Sequence, residues 1–173
     1  PWGGTCGTHE RDHRAWYCAA MVTMPTPDAD KIAGRAKIAA DLARLVGQDK
    51  VIADQVGLKV YQTDGLTAYR QPPLVVALAD TTADVAAVLR YCHLNQIKLV
   101  ARGAGTSLSG GALPFADGVL LGMMRMNRFL EIDLDNGGAV VQPGVTNLAI
   151  SQAVADRGFS FAPDPSSQIA CSI

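Results

Sequence analysis

The spacing of apolar residues changes several times along the chain, and each change marks the boundary of an element. From residue 28 onward Ile32, Ala36, Ala39, Ala40, Leu42, Ala43, Leu45 and Val46 recur near a helical period. This predicts an amphipathic helix with Asp28 as N-cap and Gly47 at its end. Residues 48–73 hold short apolar pieces broken by Asp64-Gly65 and Pro72-Pro73 and read as an extended connection, in which Tyr61, Tyr69 and Arg70 are packing or solvated residues. Residues 74–79 are apolar without interruption, the mark of a strand buried on both faces in a parallel sheet. Thr81 and Asp84 have capping-box spacing, and Val85, Val88, Leu89 and Cys92 line one side of a helix reaching about Gln96. The strand 97–101 completes a βαβ unit.

Further on, 118–123 reads as another buried strand, and in 129–134 the residues Leu130, Ile132 and Leu134 alternate with Glu131 and Asp133, as in a half-exposed strand. The Asp-Asn-Gly-Gly run at 135–138 is a turn signal, so 139–142 returns as the partner strand of a hairpin. Thr146 caps a helix through Leu148, Ile150, Ala153 and Val154, closed by Gly158. The fold class expected is α+β, a small parallel βαβ layer followed by an antiparallel layer. Residues 1–24 show no period and read as a disordered or non-native tail, 25–73 as the first helix and its connection, and 74–173 as the main domain. The final stretch, 161–173, carries prolines and hydroxyls without a closing cap, so that domain is expected to be truncated.

With 173 residues and 49% hydrophobic content, the chain can bury one substantial core. A net charge of −1 gives no electrostatic footprint for nucleic acid, and the longest apolar runs, such as 118–124, fall far short of the roughly 20 residues that cross a bilayer. Four scattered cysteines, at 6, 18, 92 and 171, fit reduced thiols in the cytoplasm. Cys6, His9, His13 and Cys18 offer ligand-like spacing, but no hydrophobic unit follows for a metal to organise, so a metal site is not expected. Cys92 reads as a small core residue, and His93 as a helix residue without a visible partner.

The chemistry concentrates in 102–114, Arg-Gly-Ala-Gly-Thr-Ser-Leu-Ser-Gly-Gly-Ala-Leu-Pro, at the carboxyl end of the strand 97–101. Glycines at 103, 105, 110 and 111 let main-chain amides approach a phosphate closely, with hydroxyls of Thr106, Ser107 and Ser109 and the charge of Arg102 at hand. A nucleoside-triphosphate loop is excluded, because Gly110 is followed by Gly111 and Ala112 rather than by Lys and Ser or Thr. The dinucleotide fingerprint starts at Gly103 and Gly105 but meets Leu108 where its third glycine belongs, which argues against a nicotinamide-binding Rossmann enzyme. What remains is an anion-cradling loop of another kind.

The βαβ start, the segment 102–114, the hairpin, the segment 142–153 (Gln-Pro-Gly-Val-Thr-Asn-Leu-Ala-Ile-Ser-Gln-Ala) and the segment 163–173 (Pro-Asp-Pro-Ser-Ser-Gln-Ile-Ala-Cys-Ser-Ile) together resemble one family. It is that of the flavoprotein subunits of bacterial glycolate oxidases, which carry an FAD-binding PCMH-type domain, named for vanillyl-alcohol oxidase and para-cresol methylhydroxylase. D-lactate and D-2-hydroxyglutarate dehydrogenases share that domain. The resemblance runs from about residue 50 to the end. It implies that the loop wraps the FAD pyrophosphate, making Arg102, Gly103, Ala104, Gly105, Thr106, Ser107 and Gly110 cofactor-binding residues. It also implies that 163–173 runs alongside the flavin, with Pro163, Ser166, Ser167, Cys171 and Ser172 as contacts. Ser107 departs from the family, which usually has glycine there; it fits if its φ is negative and is strained if positive.

The implied activity is that of an FAD-dependent oxidoreductase moving a hydride from glycolate or a similar 2-hydroxy acid to flavin N5. The implied partners are an iron–sulfur subunit and a second flavin-domain-like subunit, in the cytoplasm or peripheral at the inner face of the membrane through those subunits. The family's substrate-handling histidines and arginine lie beyond residue 173, so no catalytic residue is named and the chain alone is expected to be inactive. Two alternatives stay open: a non-catalytic companion subunit or binding module of the same fold, and another D-2-hydroxy-acid dehydrogenase such as D-lactate dehydrogenase.

Overall fold

A computed structural model describes residues 24–162 and 166–173, so the readings made for residues 1–23 and for Pro163 lie outside the described residues. The first helical stretch is two pieces, α1 (Ala29–Ala33) and α2 (Arg35–Val46). Asp28 caps the first, its carboxylate accepting from the Asp30 amide at 2.9 Å and the Lys31 amide at 3.3 Å. The break falls at Gly34, the residue of lowest helix propensity in the run. Gly47, with φ at +112°, ends α2 as its spacing predicts.

The connection after α2 is more structured than its sequence suggests. It contains β1 (Val51–Ile52) and α3 (Gln55–Lys59), elements too short to show a period. Next come β2 (Val75–Leu78), α4 (Thr82–Leu94), β3 (Lys98–Arg102) and β4 (Gly118–Gly122). The capping box of Thr81 and Asp84 at the start of α4 is present in both directions.

The four strands form one sheet in the order β1-β2-β4-β3. β4 lies between β2 and β3 and is parallel to both, so the βαβ unit is split by a strand that arrives later in the chain. β1 adds on antiparallel, Val51 opposite Ala77, which makes the sheet mixed. β2 and β4 are buried on both faces, in agreement with their unbroken apolar runs. On one face Val75, Ala77, Val119 and Leu121 pack against Ile38, Leu42 and Val46 of α2 and Val88 and Cys92 of α4. On the other, Val76, Leu78 and Leu120 pack against Leu58 of α3, with Tyr61 beside them. Burial pushes the Cys92 thiol up to about 11, consistent with a core residue.

Between α2 and α4 lies a polar clasp. Asp41 pairs with Lys37 at 2.9 Å and with Arg44, and accepts the Tyr91 hydroxyl at 2.9 Å. Hydrogen bonds from Lys37, then Tyr91, hold the Asp41 carboxyl down to about 2, while burial and the Asp41 charge push Tyr91 up to about 12.

The second layer is the hairpin of β5 (Phe129–Asp133) and β6 (Gly138–Val141), with a register shift between Phe129 and Glu131. Its strands are more open than their alternation predicts, Leu130 being 62% exposed. Among the described residues no further strand joins this two-stranded sheet. Ile132 and Val141 still turn toward Ile150 and Val154 of α5 (Asn147–Val154), lining a cavity of about 180 Å³. Thr146 caps α5 through its hydroxyl, which accepts the Ala149 amide at 3.2 Å, and Gly158 in the left-handed region closes the turn after it. Residues 167–173 fold back on the start of α5, where the Asn147 amide reaches Cys171 O at 3.0 Å and the Ile173 amide reaches Val145 O at 3.1 Å.

Gly144 joins the two layers by threading its backbone among three carbonyls. A methyl at this position would stand 2.7 Å from Met123 O and 2.8 Å from both Met124 O and Met126 O. Gly144→Ala is therefore expected to destabilise the protein by about 1–3 kcal/mol through overpacking against rigid backbone, read from chemical denaturation.

Asp41 is depressed on folding, so its contribution to stability is present above its unfolded value of about 3.9 and fades as pH falls toward 2. In Tyr91→Phe the carboxyl loses one of its donors. Its titration, followed by carboxyl NMR, is expected to move up from about 2 toward the ordinary range, with lower stability at neutral pH. A carboxyl pKa that stays near 2 in the variant contradicts the role given to the hydroxyl.

Candidate cofactor site

β3 ends at Arg102, opposite Gly122 of β4, and the Met123 amide donates to Arg102 O at 2.9 Å. The chain then leaves the carboxyl edge of the parallel strands, where α/β sheets present ligand-binding loops. Gly105 turns it with φ at +74°. The Arg102 side chain doubles back under this turn, so that any Cβ on Gly105 would collide with the guanidinium. Ser107 is not strained: Gln96, at φ +51°, is the only non-glycine with positive φ among the described residues. Serine therefore fits where the resembling family has glycine.

The connection 61–66 forms the underside of the loop. Arg102 Nη1 donates to Tyr61 O at 3.1 Å, and the guanidinium carbon lies 6.0 Å from the centre of the Tyr61 ring. Asp64 folds its carboxylate onto the Leu66 amide at 2.9 Å, and Gly65 packs against the loop backbone. A methyl on Gly65 would stand 2.7 Å from Thr106 O and 2.9 Å from Ser107 O. Those two carbonyls thus face the underside. Because no peptide bond among the described residues is cis, the amides of Ser107 and Leu108, opposite them across their peptide planes, point the other way.

The amides of Gly105, Thr106, Ser107 and Leu108 donate to no acceptor among the described residues. Successive amides left without an internal acceptor, two of them turned away from the underside, suit an anion-binding concavity. Ala104 differs, since its amide donates to Ser172 Oγ at 3.1 Å. Ser172 sits so close to Gly103 that a Cβ there would strike its hydroxyl. Its backbone pairs with Thr146 in an isolated bridge, so the start of α5 holds the closing segment against the glycine loop.

Of the residues named from sequence, the structure thus joins Gly103, Ala104, Gly105, Thr106 and Ser107 with Ser172 in one place. Cys171 is half-buried beside Ser172, its thiol 3.6 Å from Ser172 O. Ser167 lies in the turn before it, where its carbonyl accepts from the Ala170 and Cys171 amides at 2.9 and 2.7 Å, and Ser166 is exposed at the start of that turn. Gly110, at φ +77°, belongs to the next turn, beside a cavity of about 250 Å³ lined by Leu66, Tyr69, Leu113 and Phe115 among others. Arg102 is buried behind the loop rather than displayed on it.

Sequence reasoning missed the underside, formed by Tyr61, Asp64 and Gly65. The Asp-Gly pair was visible as a turn signal, but nothing local shows which backbone it meets. His93 is exposed on α4, and no cluster of His, Cys, Asp or Glu among the described residues could hold a metal. No helix among them is long and apolar enough to cross a membrane.

The donor set suits FAD. It has uncharged amides for a diphosphate, glycines where bulk would block approach, and a serine-bearing strand alongside. Comparison with known proteins agrees. The chain is 57% identical to glycolate oxidase subunit GlcD of Escherichia coli K12 over 113 residues, which are 65% of this chain and 23% of that protein. Against the GlcD subunit of Bacillus subtilis 168 it is 36% identical over 126 residues, 73% of this chain and 27% of that one. It therefore spans about a quarter of the length of these curated relatives. Among solved structures, substrate-bound p-cresol methylhydroxylase superposes on 87% of this chain and 30% of its own with a TM-score of 0.71. At 19% identity that likeness shows the fold alone, the α+β PCMH-type architecture expected from the sequence. The family described as "FAD binding domain" matches residues 73–173, more than half of the chain, and the protein belongs to that FAD-binding family.

Proposed function

We propose that this chain is the FAD-binding portion of a flavoprotein that oxidises glycolate or a closely similar 2-hydroxy acid. The observation that carries the reading is the run of four amides, Gly105 to Leu108, that find no acceptor among the described residues at the carboxyl edge of β3. These amides would hold the diphosphate without placing a cation beside it, with the side chains of Thr106 and Ser107 adjoining. Ser172 fixes the loop's first turn through the Ala104 amide. Cys171, Ser167 and Ser166, with Pro163 before them, would run along the isoalloxazine. When bound, the flavin supplies the two-electron acceptor.

The residues of this chain bind and orient; none is assigned a proton-transfer role. The choice of glycolate is supported by the 57% identity to GlcD. That protein is named as a subunit, which supports partner subunits here as well, with an iron–sulfur subunit and a second flavin-domain-like subunit as the proposed ones. A place in the cytoplasm, or at the inner membrane face through those partners, follows from the same reading.

The test is anaerobic addition of glycolate to the intact, FAD-loaded protein, expected to bleach the visible flavin absorbance. Bleaching by D-lactate but not glycolate would assign a different hydroxy acid, and a protein that never takes up flavin would favour a non-catalytic module. Within the site, Gly105→Ala must hold a side chain at φ +74° and push against Arg102. A left-handed backbone alone costs roughly 1–2 kcal/mol, so FAD affinity of the apoprotein is expected to fall about tenfold or more on titration.

A further inference from the structure

Arg102 stands at the root of the glycine loop without a task in holding a diphosphate. It is 9% exposed, and its Nε is buried without an acceptor among the described residues. Keeping a guanidinium out of water with a nitrogen unsatisfied costs free energy, so contacts made by the rest of the side chain must hold it there. Its backbone is fixed first. Arg102 lies opposite Gly122 in the parallel pairing of β3 with β4, and its carbonyl accepts the Met123 amide at 2.9 Å. From that origin the side chain runs back beneath the turn at Gly105, where φ is +74°, and fills the space a Cβ on that glycine would take. Its Nη1 donates to Tyr61 O at 3.1 Å, with the guanidinium carbon 6.0 Å from the centre of the Tyr61 ring.

Tyr61 is itself anchored. Its amide donates to Leu58 O at 3.1 Å just after α3, and its side chain packs against the cluster of Leu58, Val76, Leu78 and Leu120. A continuous line of contact therefore runs from that apolar core through Tyr61 and the guanidinium to the backbone of Gly105. Gly65 supports the following peptides separately, against the Thr106 and Ser107 carbonyls. We propose that Arg102 is a strut: its guanidinium, bonded to Tyr61 O and seated in the hollow of Gly105, holds the turn so that the amides from Gly105 to Leu108 converge on a diphosphate. It is a positioning residue, acting through the Gly105 peptide. This rests on the FAD reading above.

A strut and a bare charge give different answers to one substitution. Arg102→Lys keeps a positive charge beneath the anion site, but lysine lacks the planar fork that reaches Tyr61 O and fills the Gly105 hollow together. Arg102→Met keeps an apolar stem and loses both charge and fork. FAD is titrated into apoprotein prepared from the intact protein, wild type and each variant, by flavin fluorescence. The melting temperature of each apoprotein checks that it folds. Both variants are expected to weaken FAD by a similar factor, about tenfold or more. Arg102→Lys binding within about threefold of wild type overturns the strut. At saturating FAD, amide hydrogen exchange is expected to quicken in both variants for peptides covering 103–108 and to stay as in wild type for β2 and β4. Faster exchange throughout the sheet is the mark of a general loss of stability and also overturns it.

Should the variants not fold, a crystal structure of the wild-type protein with FAD decides. The bond from Nη1 to Tyr61 O is expected to persist, with every guanidinium nitrogen beyond hydrogen-bond reach of the phosphate oxygens. A guanidinium swung out onto the diphosphate overturns the strut. A wild-type protein that never binds FAD overturns the cofactor reading and this inference with it. A wild type that binds FAD beside unaffected variants overturns only the inference.

Discussion

Parallel pairing of β3 with β4 is the constraint on which the site depends. It brings Arg102 level with Gly122 and ends both strands at one edge, so the chain beyond Arg102 must turn over the top of the sheet. A turn there has few acceptors above it, and its amides stay open unless something is bound. The burial of β2 and β4 on both faces keeps this edge rigid, because neither strand can slip register without exposing its apolar side chains.

The loop is shaped from three directions that are distant in sequence. From below come Tyr61, which meets the guanidinium, and Gly65, which meets two carbonyls. From the side comes Ser172, which takes the Ala104 amide and is carried by backbone bonds to the start of α5. From behind comes Arg102, belonging to the strand itself. Small residues recur at these meetings because backbone approaches backbone. Gly103 leaves room for the Ser172 hydroxyl and Gly105 for the guanidinium. A loop held in this way keeps its donors aimed before a ligand arrives, which lowers the ordering cost of binding.

Much of this was legible in the residues. Asp28 and Gly47 bounded the first helical stretch, Thr81 and Asp84 began α4, and Thr146 and Gly158 framed α5, because capping chemistry is local and depends on residues a few positions apart. Unbroken apolar runs marked β2 and β4 as doubly buried. The Gly34 break, β1 and α3 were not legible, since two to five residues carry too little period and rely on partners elsewhere to exist. The hairpin's openness was hidden as well, for alternation tells which residues share a face and not whether that face is covered.

For the site, the amino-acid sequence by itself determined the glycine-rich stretch, its place after a buried strand and the mismatch with both common nucleotide loops. Backbone freedom and motif spacing are properties of neighbouring residues. Only the tertiary structure decided that β4 enters between β2 and β3, that Ser172 closes on Ala104, and that the Arg102 guanidinium meets Tyr61. Those outcomes join positions about 20 to 70 residues apart, and which distant groups meet is set by the packing of the whole sheet rather than by any local preference.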